Sequence, residues 1–225
     1  MIEFLGVYRQ HLDDWLPELL IACIGTLELM ALSFVLASML GLAVALMRVS
    51  RSRLLQGVGI VYVEAMRGMP ALVILFLIYF GLGGLGIEWL KFTSYQAAIL
   101  GLGLQGGAVL GEVFRSGIEA LHHGQMEAAL SLGMTPATSM RWIILPQAAR
   151  IVLPPVANYA IGLLKDTSVC AIIAAPELML RAKDIASSSF RPMHLFVLAA
   201  VLYFIMSYPL SIMARWLEAR LARGR

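Results

Sequence analysis

The chain has 225 residues, 60% of them apolar and 14% Asp, Glu, Lys or Arg, where soluble domains carry about a quarter charged residues. With a mean hydropathy of +0.83 it lacks the polar surface to cover a water-soluble domain, so lipid is the expected solvent. The net charge of +3 comes without a basic, aromatic-interleaved patch, which sets nucleic acid aside. Cys23 and Cys170 lie in separate apolar runs and form no metal or redox spacing.

Residues 1–17 carry Glu3, Asp13 and Asp14 and no basic start, which argues against a signal peptide. Phe4, Leu5, Tyr8, Leu12 and Trp15 recur at helical spacing and predict an amphipathic surface helix. A bilayer core takes roughly 20 apolar residues of helix. The first such run is 19–47, closed by Arg48, Arg51 and Arg53, with Glu28 near the far interface. Residues 54–67 are semi-apolar and hold Tyr62, Glu64 and Arg67; Gly68-Met69-Pro70 then breaks the pattern, because Pro70 cannot continue a helix and restrains Met69. This stretch is expected to lie along or enter the membrane, and 71–87 to complete the second crossing. The third span is 95–118. Residues 119–146, with His122, His123, Glu127 and Arg141, are too polar to cross and form a loop. The fourth span, 148–175, is interrupted by Pro154, Pro155 and Lys165-Asp166, and the fifth is 195–216. The fold class is therefore an all-α integral membrane protein with about five transmembrane helices, in one domain spanning 1–225.

Five crossings put the termini on opposite sides, and basic residues favour the cytoplasm. With the C-terminus inside, Arg48, Arg51, Arg53, Arg115, Arg141, Arg150, Arg215, Arg220, Arg223 and Arg225 fall inside. Arg9, Lys91, Arg181, Lys183 and Arg191 fall outside, and Arg67 and Lys165 lie at membrane depth. The expected orientation is N-terminus outside and C-terminus cytoplasmic, which makes 119–146 a cytoplasmic loop.

That loop has a readable local logic. Glu127 is placed in the first turn of a short helix, where a carboxylate suits the positive end of the dipole. Ala128 and Ala129 are small enough for another surface to approach. Gly133 ends the helix, as glycine does where φ turns positive. Thr135 can cap a second short helix that starts with Pro136. The result is a knob that can transmit force to a partner.

Gly124, Glu127, Ala128 and Ala129, then Gly133, then Ile143-x-Leu145-Pro146 at this spacing resemble the signature loop of ABC importer permeases. The surrounding residues resemble the polar amino acid branch, the histidine, glutamine, arginine and cystine permeases. The resemblance rests on Gly25-Thr26-Leu27, on the run from Tyr62 to Pro70, on Gly111-Glu112-Val113-Phe114-Arg115-Ser116-Gly117-Ile118, on the run from Leu153 to Asn158, and on Leu163-Leu164-Lys165-Asp166-Thr167-Ser168. It covers about 25–186. One departure is Gly107-Ala108-Val109-Leu110, where the branch usually has an Ala-Tyr pair before the Glu. The resemblance implies that the loop couples this chain to a pair of ATP-binding subunits, which would hold ATP and Mg. It also implies a second permease, identical or similar, an external substrate-binding protein and a polar amino acid cargo at the bacterial inner membrane.

At membrane depth an unpaired charge is costly, so Lys165 and Asp166 are candidates for lining or gating the path. Adjacent residues do not face each other on a helix; each needs another partner, or the helix breaks here, which the capping residues Asp166, Thr167 and Ser168 favour. Glu112 can bind a substrate amine or pair with Arg115 at i,i+3, and the pair is the preferred reading; Glu64 and Arg67 have the same spacing and the same reading. Asn158 and Tyr159 lie about two turns before Lys165. Members of the branch that carry cationic amino acids can have a carboxylate beside that Asn, and Tyr159 in its place gives less support to a cationic cargo. Gly103, Gly107 and Gly111 recur every four residues and predict close helix packing. Residues 81–86 match G-x-G-x-x-G but follow an apolar span instead of a strand, which removes the dinucleotide reading. His122 and His123 have no third ligand, and the thirteen methionines are scattered as packing residues.

The chain has no G-x-x-x-x-G-K-S/T loop, so it is read as a transport subunit without its own ATPase site, no cofactor and no catalytic residue. The alternative is a self-sufficient secondary amino acid transporter or channel, for which inverted repeats would speak; none is found. An intramembrane enzyme would need a nucleophile and base or metal ligands at one depth, and His11, His122, His123 and His194 all fall outside the spans.

Overall fold

The computed structural model describes the backbone of residues 2–222 and the side chains of residues 6–121 and 125–221. Gly124, His122, His123, Arg223 and Arg225 therefore lie outside the described side chains. All regular elements among the described residues are helical. Four runs are long and apolar enough to cross a membrane: Gly6–Arg48, Ser94–Leu121, Pro136–Ile173 and Pro192–Leu221. A fifth is the pair Arg53–Gly68 and Ala71–Leu85, bent by 104°. Counted as one span, the bent pair brings the number to the five crossings read from the sequence.

Helix α1 (Ile2–Arg48) runs 47 residues, about 70 Å at 1.5 Å per residue, more than twice a bilayer core. The expected surface helix 1–17 is thus no separate element. Pro17 sits inside α1 without ending it, and Trp15 is buried, with Leu19 and Cys23, against Leu178, Ala182, Ile185 and Leu195. Protein supplies the apolar surface that lipid was expected to supply.

Helix α2 (Arg53–Gly68) stops at Met69, which is extended (φ −101°, ψ 138°). Pro70 then opens α3 (Ala71–Phe76), which continues as a π-helical turn over Leu77–Leu82. The bend follows from Pro70, which cannot donate and forces its predecessor out of helix. Helix α4 (Ser94–Ser131) begins with a reciprocal cap: Gln96 N–H donates to Thr93 Oγ1 (3.2 Å) and Thr93 N–H to Gln96 Oε1 (3.0 Å).

α1 and α4 lie along one another over most of the span, and glycine makes this possible. A Cβ added to Gly103 would sit 2.5 Å from Leu36 Cδ2, one on Gly107 2.8 Å from Leu40 Cβ, and one on Gly111 3.0 Å from Val44 Cγ1. The four-residue glycine stripe is the face that α4 turns to α1, as predicted. The departure at 107–110 is part of this contact, with Ala108 and Leu110 fully buried.

A short α5 (Pro136–Ser139) continues through a π-helical turn (Met140–Ile144) into α6 (Leu145–Asp166), which contains Pro154 and Pro155. A 3₁₀ turn, Thr167–Ile173, follows, then α7 (Leu178–Ser189) and α8 (Pro192–Ala222). Sequence reading missed α7. It lies at the end of the bundle opposite the 119–146 loop and packs on α1 and α8 through Leu178, Ala182, Ile185 and Ala186.

Candidate coupling loop and polar residues at membrane depth

The loop is built by two backbone devices. At the end of α4, Gly133 adopts φ +80°. Gly133 N–H donates to Leu130 O (2.9 Å) and Met134 N–H to Ala129 O (3.1 Å), the paired bonds of a Schellman turn. Thr135 Oγ1 then accepts from Thr138 N–H (3.2 Å), with Pro136 opening α5. Both local expectations hold. Gly133→Ala places a Cβ in the left-handed region, which costs about 1 kcal/mol; the expected result is a melting temperature lower by roughly 2–4 °C in detergent.

Two expectations are corrected. The arms of the knob are not short helices: the first is the end of α4, 38 residues long, and the second opens the helical run Pro136–Ile173. The expected span ends at 118, but the helix continues to Ser131, since residues 119–131 contain no proline and a single glycine, Gly124. Consequently Glu127 is not in a first turn. It stands four residues before the C-terminal end of α4, where the helix dipole disfavours a carboxylate. It is exposed and makes no ion pair among the described residues.

Ala128 is exposed while Ala129 is buried, as are Ser139 and Ile144 in the second arm, which packs against α4. Leu132 is 82% exposed and Trp142 68%, with Leu130 and Leu145 also open. Arg141 lies over the Trp142 ring, 5.5 Å from its centroid. Pro146 is exposed near the start of α6.

The residues at membrane depth fall into separate places. Glu112 Oε1 accepts from Arg48 Nη1 (2.6 Å), and its Oε2 accepts from Arg115 Nη2 (2.7 Å) and Nε (3.2 Å). Arg115 also pairs with Glu119. The Glu112–Arg115 pair was legible in the sequence; Arg48, 64 positions away, was not. Glu64 and Arg67, by contrast, are both exposed and do not pair, which corrects the second expected pair: i,i+3 spacing permits contact and does not compel it.

α6 gives way to the 3₁₀ turn directly after Asp166, so the helix changes geometry where the sequence suggested. The hydroxyls do not cap, however. Thr167 Oγ1 donates to Leu164 O and Ser168 Oγ to Lys165 O, both at 2.7 Å. These bonds hold carbonyls instead of amides. Lys165 and Ser168 line a cleft of about 470 Å³ with Tyr203, Phe204 and Ser207 of α8. Asp166 is exposed and does not line it; neither charge has an ion-pair partner among the described residues.

Tyr159 leans over α4, its hydroxyl 2.1 Å from where a Cβ on Gly106 would stand. Tyr62 approaches beside it and donates to Leu104 O (2.6 Å). Asn158 Nδ2 donates to Glu218 Oε1 (3.0 Å). A carboxylate therefore does stand beside Asn158, contributed by α8 and not by position 159.

A second polar centre had been overlooked. Glu177 is 2% exposed. Its Oε1 accepts from Leu180 N–H (2.6 Å) and its Oε2 from Met179 N–H (2.9 Å) and Tyr203 Oη (2.5 Å). Thr26, fully buried in the middle of α1, accepts a third amide, Leu178 N–H, at 2.9 Å. Gly25 next to it leaves room for Pro176 O, which would be 2.9 Å from a Cβ there. Thus three of the four amide groups that a helix start leaves open are satisfied at α7, one of them by another helix. The usable signals were Glu177 before an apolar face at i, i+4, i+7 and i+8, and Thr26 alone inside an apolar span.

The described residues thus form a helical membrane protein with four or five candidate crossings and an exposed helical loop closed by two caps. Residues 37–223 match the model of the family described as "Binding-protein-dependent transport system inner membrane component". The chain is 37% identical over 217 residues to a probable glutamine ABC transporter permease protein, GlnM, of Bacillus subtilis, covering 96% of this chain and 95% of that protein. It is 37% identical over 230 residues to the arginine transport system permease protein ArgU of Corynebacterium glutamicum, covering 96% of this chain and 72% of that protein. Its fold is similar to the crystal structure of an amino acid ABC transporter with histidines, with TM-score 0.87 and 34% identity over 94% of this chain and 97% of that one. The chain belongs to the inner-membrane permease components of binding-protein-dependent ABC transporters. Among the described residues no group of three or more His, Cys, Asp or Glu is placed to hold a metal ion.

Proposed function

We propose that this chain is the permease subunit of an importer that moves a polar amino acid across the bacterial inner membrane, driven by a separate pair of ATP-binding subunits through the loop at 119–146. The observation that carries this reading is the loop itself. Its backbone is fixed by the Gly133 and Thr135 caps, yet its outer face offers Glu127, Ala128, Leu130, Leu132 and Trp142 with nothing covering them. A carboxylate near the negative end of a helix gains most when a partner supplies donors or a cation, so Glu127 and Ala128 are assigned to ATPase contact, and Ala129 and Gly133 to the shape of the arm. Gly124 and Pro146 belong to the same motif.

The loop lies at the same end as Arg48, Arg51, Arg53, Arg215 and Arg220, which supports a cytoplasmic loop and C-terminus and an external N-terminus and α7. A second permease, identical or similar, and an external substrate-binding protein complete the assembly. Relatives named for glutamine and for arginine support the polar amino acid class. Asn158, Tyr159, Lys165, Asp166, Thr167 and Ser168 are assigned to the translocation path, and Glu112, held by Arg48 and Arg115, to its structural support. ATP and Mg are held by the partner subunits.

The test is ATP hydrolysis and amino acid uptake by the complex in liposomes. With Glu127→Lys, substrate-stimulated hydrolysis is expected to fall at least about tenfold, the loss of roughly 1.4 kcal/mol of coupling. Uptake by the chain alone, without an ATPase and indifferent to Glu127→Lys, would overturn the reading.

A further inference from the structure

The polar cluster at the loop end of α1 ties three elements at one carboxylate. Arg48 is the last residue of α1. Its stem crosses α2 at Gly59, where an added Cβ would lie 3.0 Å from Arg48 Cδ and 3.1 Å from Cγ. Its guanidinium then reaches Glu112 on α4 at 2.6 Å, with side-chain exposures of 17% and 22%. Glu112 is held from the other side by Arg115 at 2.7 Å, and Arg115 is held by Glu119. One carboxylate with two guanidiniums on its two oxygens, partly shielded from solvent, is a stronger clasp than an exposed surface pair.

Two further facts give the clasp a mechanical place. α4 continues unbroken from Glu112 to Ser131, so the helix that carries the clasp also carries Glu127. α1 is seated on α4 along Leu36, Leu40 and Val44 and, at its other half, receives the N-terminus of α7 on Thr26. The glycine seam holds α1 to α4 by van der Waals packing without a directional bond. The Arg48–Glu112 bond is directional and fixes the register of the two helices.

We infer that Glu112 is a positioning residue of the transport cycle: through Arg48 it locks α1 to α4, so that a displacement delivered at the 127–133 end of α4 reaches α1 and, through Thr26, α7 on the opposite face. This rests on the coupling role proposed above for the loop. It assigns Glu112 to the machinery that moves the path and not to contact with the cargo.

The experiment uses the complete importer in liposomes and reads uptake per ATP hydrolysed, together with the KM for uptake. Glu112→Gln and Arg48→Gln are each expected to lower uptake per ATP about fivefold with basal hydrolysis, complex assembly and KM unchanged. The double variant is expected to be no worse than Glu112→Gln alone, because that change already removes the Arg48 bond. Arg48→Lys and Glu112→Asp, which keep the charges, are expected to recover part of the loss, and they carry the test if the neutral variants do not assemble. Unchanged uptake per ATP in assembled Arg48→Gln or Glu112→Gln complexes overturns the inference and leaves a structural pair. A raised KM with uptake per ATP intact also overturns it, in favour of substrate contact. Glu127→Lys in the same preparation separates the two readings: if it uncouples while Glu112→Gln does not, only the clasp fails, and if it has no effect the coupling role fails first.

Discussion

Glu177→Ala is expected to destabilise the permease by about 3 kcal/mol, the sum of a lost helix cap, about 1, and a buried hydroxyl left without its acceptor, about 2. For a chain of this size that is a fall of roughly 6–12 °C in melting temperature. The reason is that one side chain serves three donors, Met179 N–H, Leu180 N–H and Tyr203 Oη, on two helices. Removing it opens the start of α7 and strands Tyr203 in the cluster formed with Trp15, Leu19 and Leu178. Tyr203→Phe removes a single donor and should cost about 1 kcal/mol. Thermal unfolding of the purified variants in one detergent checks the order; equal melting temperatures for wild type and Glu177→Ala would show that the cap carries no stability.

Glu177 lies outside the five spans, and its burial pushes its pKa above the usual carboxylate value, against the lowering effect of its hydrogen bonds to Tyr203, Met179 and Leu180. A folded-state pKa above the unfolded one means that the folded protein binds the proton more tightly. The contribution of this group is therefore fully present below the unfolded pKa and is lost as pH rises through the folded pKa. As pH rises above the ordinary carboxylate range the wild type is thus expected to lose some stability relative to Glu177→Gln. A difference curve that is flat, or slopes the other way, contradicts the sign.

What the sequence revealed depended on the range of the interaction. Gly133, Thr135 and Pro136 act on neighbouring backbone, and the structure places all three as read. The glycines of α4 were legible because helical spacing alone defines a face. Pro70 was legible because its effect is steric and local. The boundary between span and loop misled, since hydropathy reports where the membrane ends and not where hydrogen bonding ends; hence Glu127 was set in a first turn when it stands near a last one. α7 was missed because Arg181, Lys183, Asp184 and the serines lower its hydropathy, although Leu178, Ala182, Ile185 and Ala186 keep the helical period. The contacts Arg48–Glu112, Thr26–Leu178 and Asn158–Glu218 join residues 64, 152 and 60 positions apart. Thr26 reads alone as a polar group in an apolar run, and Arg48, Glu112, Asn158 and Glu218 read as groups without a distant partner; only the fold supplies one.

Gly41→Leu is expected to force α1 and α4 apart. A Cβ at position 41 would stand 2.8 Å from Leu110 Cβ, 3.0 Å from Gly111 N and 3.1 Å from Leu110 C. Two of these three atoms are backbone of α4, so no rotamer change relieves the contact, and the two helices must separate. Overpacking of this kind costs about 1–3 kcal/mol where neighbours can shift, and the larger side chain at a backbone contact belongs at the top of that range. Gly103→Ala is the informative comparison, because its nearest neighbour is the end of the Leu36 side chain; it should cost roughly 1 kcal/mol. At Gly6, where nothing lies within 4 Å, alanine should be neutral or slightly stabilising, since glycine disfavours helix by about 1 kcal/mol. The measurement is the yield of monodisperse protein and its melting temperature across the three variants. The order Gly6→Ala, Gly103→Ala, Gly41→Leu, from least to most damaged, is the signature of an α1–α4 seam closed by direct backbone approach. Damage at Gly6→Ala comparable to that at Gly41→Leu would instead mean that stability resides in the outer part of α1, and that the seam can open without loss.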